Sequence, residues 1–395
     1  MAKTFSKGLE GVVADETSVG FVDSDGGQLY YRGYPIDQIV EKKSFDECAY
    51  MLLEGRFPSP DELAAFRAQL ADAYELPAHA QAVIDALPLS THPMEVIQAL
   101  LALIGSSKPW DVRVQRVTAT DGHKKSVVTD VSVHRQELAG LVARIPTIVA
   151  RFYRRQQRQP AVAPRRDLPL LSNFLYMLHG REPSASEVRA FEVCQMLQLE
   201  HGLNASTFTA RVVASTLAPM HSCLSSAVGA LYGSLNGGAD EAAFRMVEDE
   251  IKTLDRADDY VRETLAKGGL IMGLGHRVYR TVDPRATILK RMAAELSAAK
   301  GGRRGEIFQI LVRVEDAARR LFAQQGKDIY ANVEFYKGAV FNALDIPPLY
   351  YTSMFVMARA FGWGAHVLEL WQDNRIYRPE AVFVGDVNRP VPATA

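Results

Sequence analysis

The sequence predicts an all-α, mainly helical protein with one small β-hairpin near its N-terminus. Serine precedes glutamate by three residues, the spacing of a helix-initiating capping box, at Ser44 and Glu47, Ser59 and Glu62, and Ser184 and Glu187. Glycines that can end helices stand at Gly55, Gly180 and Gly202. Strand patterns are confined to residues 19–22 and 28–31, on either side of the turn sequence Asp23-Ser-Asp-Gly-Gly.

Apolar residues at helical spacing predict the other helices. In chain order these cover about residues 93–104, 135–157, 186–201, 204–218, 221–232, 239–251, 256–267, 284–299, 303–325, 333–344 and 350–371. Residues 106–132 contain Lys108, Pro109 and the polar run Asp121-Gly-His-Lys-Lys. This stretch is therefore predicted to be an irregular surface excursion between helices.

The composition is that of a globular protein with a large core. Of 395 residues, 48% are hydrophobic, and the formal net charge of -1 argues against a general nucleic-acid or membrane-surface binder. The three cysteines form no Cys-x-x-Cys pair, which favours neither a disulfide framework nor a zinc site. With no signal-peptide pattern and no apolar stretch of membrane-spanning length, we expect a soluble cytoplasmic protein. A basic run over residues 151–166 is interpreted as a solvated helix end, with a phosphate-binding patch as the alternative.

The most informative segment runs from residue 273 to residue 285. Gly273 and Gly275 allow a tight bend and close approach to a ligand, and an Asp-Pro pair at 283–284 suits the start of a helix. His276 and Arg285 at the mouth of that helix suit a carbonyl and a carboxylate. Dinucleotide binding is disfavoured because the glycines follow a helical pattern and the third glycine of that fingerprint is missing.

Three other segments combine polar residues with turns. Residues 200–207 carry His201 at a predicted helix end, residues 233–240 form a glycine-rich turn, and residues 331–338 place Glu334 among apolar and aromatic neighbours. Each also fits an ordinary helix junction. A metal hydrolase is disfavoured because His201 and His276 are not at helical ligand spacing, and no metal is expected.

Together these segments resemble the citrate synthase family over nearly the whole chain. The matching strings, in order, are Gly8-Leu-Glu-Gly-Val12, Leu29-Tyr-Tyr-Arg-Gly-Tyr-Pro35, Thr91-His-Pro-Met94, His201-Gly-Leu-Asn-Ala-Ser-Thr-Phe-Thr-Ala-Arg211, Gly275-His-Arg-Val-Tyr279, Asp283-Pro-Arg285, Ala358-Arg-Ala-Phe-Gly-Trp363 and Arg378-Pro379.

The resemblance implies a homodimer, each subunit having a large helical domain, here residues 1–236 and 345–395, and a smaller mobile helical domain, residues 237–344. It also implies the condensation of oxaloacetate with an acyl-CoA, most simply acetyl-CoA, to give citrate and CoA. No cofactor is bound tightly in this reaction, and the CoA thioester is a co-substrate. A carboxylate base forms the enol, which attacks a ketone polarised by histidine.

The family's site residues map onto positions of this chain. His276 matches the histidine that polarises the ketone, and His201 matches one that hydrogen-bonds oxaloacetate. The resemblance assigns carboxylate binding to Arg285, Arg359 and Arg378, the last acting across the dimer interface. Arg280 matches a CoA contact, and the backbone around Gly273 and Gly275 is where the adenine is expected to dock.

Two chemical positions depart from the family pattern. The usual Leu-His-Gly-Gly-Ala is here Leu235-Asn-Gly-Gly-Ala239, and the usual Asn-Val-Asp-Phe-Tyr is Asn332-Val-Glu-Phe-Tyr336. Glu334 keeps the base but moves it outward by one methylene, and Asn236 keeps a hydrogen-bond donor for the enol oxygen. The alternatives to citrate formation are 2-methylcitrate synthesis from propionyl-CoA and a catalytically impaired paralogue that binds CoA or a dicarboxylate.

Overall fold

A computed structural model describes residues 6–105, 114–120, 124–275 and 283–392, with the backbone alone described over 114–120, 124–129 and at 239–240. Within these ranges the protein is mainly helical, as the sequence predicts. The helices are α1 (Ile36–Lys42), α2 (Phe45–Glu54), α3 (Pro60–Asp72), α4 (Ala78–Ala86), α5 (Pro93–Gly105), α6 (Val131–Gln156), α7 (Leu170–His179), α8 (Ala185–Met196), α9 (Ala205–Ser215), α10 (Met220–Tyr232), α11 (Ala239–Arg245), α12 (Ala257–Ala266), α13 (Pro284–Lys300), α14 (Gly302–Gln324), α15 (Val333–Ala343) and α16 (Tyr351–Gln372).

The helix boundaries follow the capping signals in the sequence. All three predicted capping boxes form, with serine and glutamate each bonded to the other's backbone N–H. Gly55 and Gly180 end α2 and α7 in the left-handed conformation. Gly202 has a positive φ as well, but α8 already ends at Met196, so the predicted helix end at 201–202 is wrong.

The predicted N-terminal hairpin is present and gains a third strand. Strand β1 (Gly20–Asp23) pairs antiparallel with β2 (Gln28–Tyr31), and β3 (Tyr34–Pro35) pairs with the other edge of β2. The carboxylate of Asp23 accepts the backbone N–H groups of Asp25 and Gly26, which closes the turn.

The prediction of an irregular stretch over residues 106–132 is wrong in part. Strands β4 (Val114–Thr120) and β5 (Lys124–Thr129) form an antiparallel pair, with Thr120 opposite Lys124. Both strands are rich in β-branched residues and flank an Asp-Gly pair, which is a hairpin signal that outweighs the polar character of the run.

Helix α16 forms the centre of the core. Its residues from Tyr351 to Leu368 are all buried, because α2, α6, α8, α9 and α10 pack around it. Helices α11 to α15 pack mainly on one another, and α13 and α15 also contact α8. Of the predicted site residues, Arg285 and Glu334 lie in the first turns of α13 and α15, and Arg359 lies on α16.

Two surface features agree with the sequence analysis. In the basic run over 151–166, Arg151, Arg165 and Arg166 form ion pairs with aspartates at the protein surface, as expected for a solvated helix end. No helix in the described part of the chain is long and apolar enough to cross a membrane.

Candidate active site

Arg285 is held by the aspartate that starts its own helix. Asp283 caps α13 by accepting the backbone N–H of Arg285 at 3.0 Å, as the Asp-Pro pair predicts. The same carboxylate accepts hydrogen bonds from Nε and Nη2 of Arg285 at 3.0 and 2.9 Å, and both residues are buried. Asp283 Oδ2 also accepts the N–H of Val333 at 3.2 Å, so this one carboxylate fixes Arg285 relative to the start of α15.

The loop before residue 276 is bonded to the segment before Glu334. Gly275 donates its N–H to the carbonyl of Tyr330 at 2.8 Å, and Asn332 donates its N–H to the carbonyl of Gly273 at 2.9 Å. Gly273 has a φ of 82°, and a Cβ there would lie 2.8 Å from the ring of Phe335, so glycine is required at this position. His276 and Arg280, predicted as the polarising histidine and a CoA contact, lie outside the described residues.

Glu334 lies in the first turn of α15. The helix is capped by Asn332, whose side-chain oxygen accepts the N–H of Glu334 at 3.1 Å. Glu334 itself is half-buried between the buried residues Val333 and Phe335. The helix terminus favours a carboxylate at this position, and its partial exposure leaves access for a substrate.

Arg359 brings a second buried guanidinium to the same region. Its Nε donates to the carbonyl of Gln198 at 2.6 Å, and the residue is 3% exposed. Burial lowers the pKa of Arg359, the negative charges of Glu200 and Glu334 oppose that shift, and the positive charge of Arg285 adds to it. Arg285, Arg359 and Glu334 therefore interact electrostatically, together with the carboxylates of Asp283 and Glu200, and guanidinium groups are the side chains that bind carboxylate ligands bidentately.

His201 lies in the loop between α8 and α9 and is half-buried. This loop is tied to the same region, because Gln198 accepts the bond from Arg359 three residues earlier. The adjacent carboxylate of Glu200 is buried and accepts the N–H of Gly202. The structure thus brings the His201 loop next to the helix that carries Arg359.

Asn236 and Arg378 are described away from this cluster. Asn236 is half-buried in the turn after α10, where its Nδ2 donates to the carbonyl of Ala230 at 3.2 Å. Arg378 is exposed beyond the end of α16 and donates to the carbonyl of Pro379 at 2.9 Å. Within the described part of this subunit, no hydrogen bond or ion pair joins either residue to Arg285, Arg359 or Glu334.

The chain matches the model of the citrate synthase C-terminal domain over residues 8–380. The chain belongs to the citrate synthase family. A citrate synthase from Deinococcus radiodurans is 38% identical, with 96% of each chain covered, and a 2-methylcitrate synthase from Shewanella oneidensis is 35% identical, with 98% of this chain and 97% of the other covered.

Solved structures of citrate synthases have the same fold. The enzyme from Thermotoga maritima is 35% identical and covers 98% of both chains, with a TM-score of 0.84. A ternary complex of the Thermoplasma acidophilum citrate synthase with carboxymethyl coenzyme A and oxaloacetate is 30% identical, covers 99% of both chains and has a TM-score of 0.88. As a citrate synthase family member, the chain is an acyltransferase that condenses an acyl-CoA with oxaloacetate.

Three residues that organise this cluster have no clear signal of that role in the sequence. Asp283 was predicted as a helix cap, but its bidentate hold on Arg285 was not, although an acidic residue two positions before an arginine is a usable signal. Glu200 and His366 form a buried contact across the core. Nothing in the sequence pairs His366 with Glu200.

Proposed function

We propose that this family member acts on acetyl-CoA and oxaloacetate to give citrate and CoA, a step of the tricarboxylic acid cycle, and that it does so as a cytoplasmic homodimer. The observation that carries the proposal is the cluster of Arg285, Arg359 and Glu334. Two buried guanidinium groups suit the carboxylates of oxaloacetate, and a half-buried carboxylate beside them suits a base.

Glu334 is proposed to start the reaction by removing a proton from the acetyl carbon next to the thioester carbonyl. The electron pair of that C–H bond forms the enolate, and Asn236 donates a hydrogen bond to the enolate oxygen. One hydrogen of the Asn236 amide is donated to the carbonyl of Ala230, and the second hydrogen of that amide can be donated to the substrate oxygen. The tie between residues 273–275 and 330–332 fixes where Glu334 lies relative to the loop that leads to His276.

The enolate carbon then forms a bond to the ketone carbon of oxaloacetate. The electron pair of the C=O bond moves to the ketone oxygen, which takes a proton from the imidazole that polarises it and becomes the hydroxyl of the product. His276 is assigned to polarise that ketone, and this assignment rests on the family resemblance alone. Water finally cleaves the C–S bond of the citryl thioester and releases CoA. Arg280, Gly273 and Gly275 are proposed to contact the CoA portion.

Oxaloacetate is proposed to be held by His201, Arg285 and Arg359 of one subunit and by Arg378 of the other. The exposed position of Arg378 supports a role outside its own subunit's cluster. Its neighbour Tyr377 stacks on the ring of Phe208, and its hydroxyl accepts a hydrogen bond from Nε of Arg211. The backbone next to Arg378 is therefore held in place. The division into residues 1–236 with 345–395 and residues 237–344 stays a prediction that accompanies this proposal.

Acetyl-CoA and propionyl-CoA differ by one methylene, which a pocket distinguishes by about 1 to 3 kcal/mol. Both a citrate synthase and a 2-methylcitrate synthase are among the similar proteins, so the Shewanella relative supports the propionyl alternative.

The test is thiol release by the purified protein with oxaloacetate and either acetyl-CoA or propionyl-CoA. We expect release that depends on oxaloacetate and is faster with acetyl-CoA. Faster release with propionyl-CoA would identify a 2-methylcitrate synthase. If the native chain releases no thiol but Asn236→His does, the native site is catalytically impaired. If neither protein releases thiol, the proposal is overturned.

A further inference from the structure

Glu200, the residue before His201, is a fully buried carboxylate. Its Oε1 accepts the N–H of Gly202 and lies 3.1 Å from Nε2 of His366. The contact with His366 is close but poorly aligned for a hydrogen bond, so it is electrostatic in character. The other oxygen, Oε2, has no hydrogen-bond partner among the residues that the structure describes. Burying a carboxylate in this way costs free energy, which suggests that Glu200 serves more than packing.

Helix α16 contacts this loop at two points, the carbonyl of Gln198 and the side chain of Glu200. Arg359 and His366 are seven residues apart, so they lie two turns apart on one face of the helix. Arg359 bonds the carbonyl of Gln198, and His366 contacts the side chain of Glu200. A single rigid helix therefore fixes both the substrate-facing arginine and the loop that carries His201.

Arg211 fixes the orientation of the His366 ring. Its Nη1 lies 3.4 Å from Nδ1 of His366 and 3.1 Å from a carboxylate oxygen of Glu369, and its Nη2 lies 2.6 Å from Asp15. An arginine can only donate hydrogen bonds, so Nδ1 accepts, and a ring proton is assigned to Nε2, which faces Glu200. The network thus directs the Nε2–H dipole toward the carboxylate of Glu200, 3.1 Å away, without an aligned hydrogen bond.

The space around Glu200 leaves its side chain one position. A Cβ added to Gly20 would lie 2.6 Å from Cγ of Glu200, and one added to Gly362 would lie 3.0 Å from Oε2. Glycine on β1 therefore leaves room for the side chain of Glu200. Gly362 on α16 is required first by the backbone oxygen of Leu199, which would lie 2.1 Å from its Cβ, and it also borders the carboxylate.

We propose that Glu200 and His366 are positioning residues for oxaloacetate binding, acting through the His201–Gly202 loop, with Arg211 holding His366 in the required tautomer. Glu200 accepts the N–H of Gly202, and His366 holds the carboxylate of Glu200 by an electrostatic contact. The imidazole of His201 is therefore held in place before the substrate arrives. This inference rests on the proposed function in taking oxaloacetate as the ligand of His201.

The test compares Glu200→Gln and His366→Gln with Trp371→Phe. Trp371 is buried on the same helix and donates to the carbonyl of Ala214, so its variant also removes one buried hydrogen bond but leaves the loop untouched. We expect both network variants to raise the KM for oxaloacetate about tenfold or more, with kcat and the KM for acyl-CoA within about threefold of the native values. The double variant, with glutamine at both positions, should have a KM for oxaloacetate close to that of either single variant. All three variants lose the same contact between residues 200 and 366. An oxaloacetate KM that rises no more than in Trp371→Phe would overturn the proposal.

A second readout separates this proposal from the reaction itself. In protein labelled with ¹⁵N-histidine, the imidazole signals of His201 are assigned with His201→Gln. Glu200→Gln should move those signals, and Trp371→Phe should not. If the native protein shows no turnover, the proposed function fails, but the shift of the His201 signals still decides whether Glu200 positions that ring. Unmoved signals in Glu200→Gln would reject the positioning role.

Discussion

Asn332 donates its side-chain amide to the carbonyl oxygen of Gly275, 3.0 Å away, and its side-chain oxygen caps the helix that carries Glu334. One side chain therefore joins the loop leading to His276 to the proposed base. Asn332→Ser keeps a capping oxygen but loses the amide, so we expect a free energy of unfolding within about 0.5 kcal/mol of the native value. Turnover should fall about tenfold or more because the two segments can separate.

Asn332→Ala is the matched variant for that prediction. It loses the cap as well as the tie and should cost about 1 kcal/mol of stability, measured by urea unfolding. Full turnover in Asn332→Ser would show that the bond to Gly275 does not position the base.

Gly273 and Gly275 allow the steric and conformational roles of this loop to be separated. Both have positive φ values, 82° and 85°, but only a Cβ on Gly273 meets Phe335, at 2.8 Å from the ring and 3.1 Å from Cα. We expect Gly273→Ala to lower the free energy of unfolding by about 2 to 4 kcal/mol and Gly275→Ala by about 1 kcal/mol. Equal losses in urea unfolding would contradict the steric argument. The KM for acyl-CoA should rise more in Gly273→Ala, because the loop must move away from Phe335.

Glu334 and Asn236 are expected to act as a pair. Glu334→Gln removes the base and should lower kcat by about 100-fold or more, as general bases contribute about that much. Glu334→Asp and Asn236→His each restore the family residue at one position and leave the other position altered. Each single variant should therefore lose activity, because the base and the donor no longer lie at matching distances from the substrate. The double variant should exceed the product of the two single effects, measured as kcat/KM for thiol release. Simple multiplicativity would show that the two departures are independent.

The helix boundaries could be predicted where a local signal decides them. Ser44 with Glu47, and Asp283 with Pro284, satisfy N–H groups of the first turn with neighbouring side chains, so sequence alone suffices. The end of α8 could not be placed, because residues 197–201 have a helical pattern, but Arg359 takes the carbonyl of Gln198 for its own hydrogen bond. A tertiary contact overrides the local preference there.

The site residues divide in the same way. Arg285, Arg359 and Glu334 could be named from strings that resemble a known family, and the structure brings these three into one environment. The contact between Glu200 and His366 joins residues distant in the chain, each with an unremarkable local sequence. Only the path of α16 past the His201 loop creates that contact, so no local pattern could have revealed it.

Glu137 should make stability depend on pH. Burial acts to raise the pKa of Glu137, but contacts with His134 and His221 outweigh it and hold that pKa at about 2, below its ordinary value of 4.5. Stability from this group is therefore fully present above pH 4.5 and lost as the pH falls toward 2. Glu137→Gln should lower the free energy of unfolding by about 1 to 2 kcal/mol at pH 6, allowing for partial exposure, and by less at pH 3.5. Urea unfolding at both pH values, with the exposed Glu75→Gln as control, measures the difference; a gap that is constant with pH would contradict it.

Arg378 should affect substrate binding without affecting the fold. Its side chain is exposed and bonds only the adjacent Pro379 carbonyl among the described residues, so Arg378→Ala should leave the unfolding temperature unchanged. The KM for oxaloacetate should rise about 100-fold, the effect of losing one charge-assisted contact of about 3 kcal/mol. Arg375→Ala, an exposed arginine three residues earlier in the chain, is the control and should leave that KM unchanged.

Mixed dimers then test whether Arg378 serves the partner subunit. A dimer of one Arg378→Ala subunit and one Glu334→Gln subunit has one complete site if the arginine crosses the interface, because the Arg378→Ala subunit keeps its base and receives the arginine of its partner. If the arginine serves its own subunit, neither site is complete. Equal amounts of the two variants are unfolded and refolded together and assayed at oxaloacetate near the native KM, where each variant alone is nearly inactive. They should recover roughly one quarter of native activity, since half of the dimers formed at random are mixed and each has one working site. Recovery that does not exceed the average of the two variants alone would place Arg378 in its own subunit's site or outside the reaction.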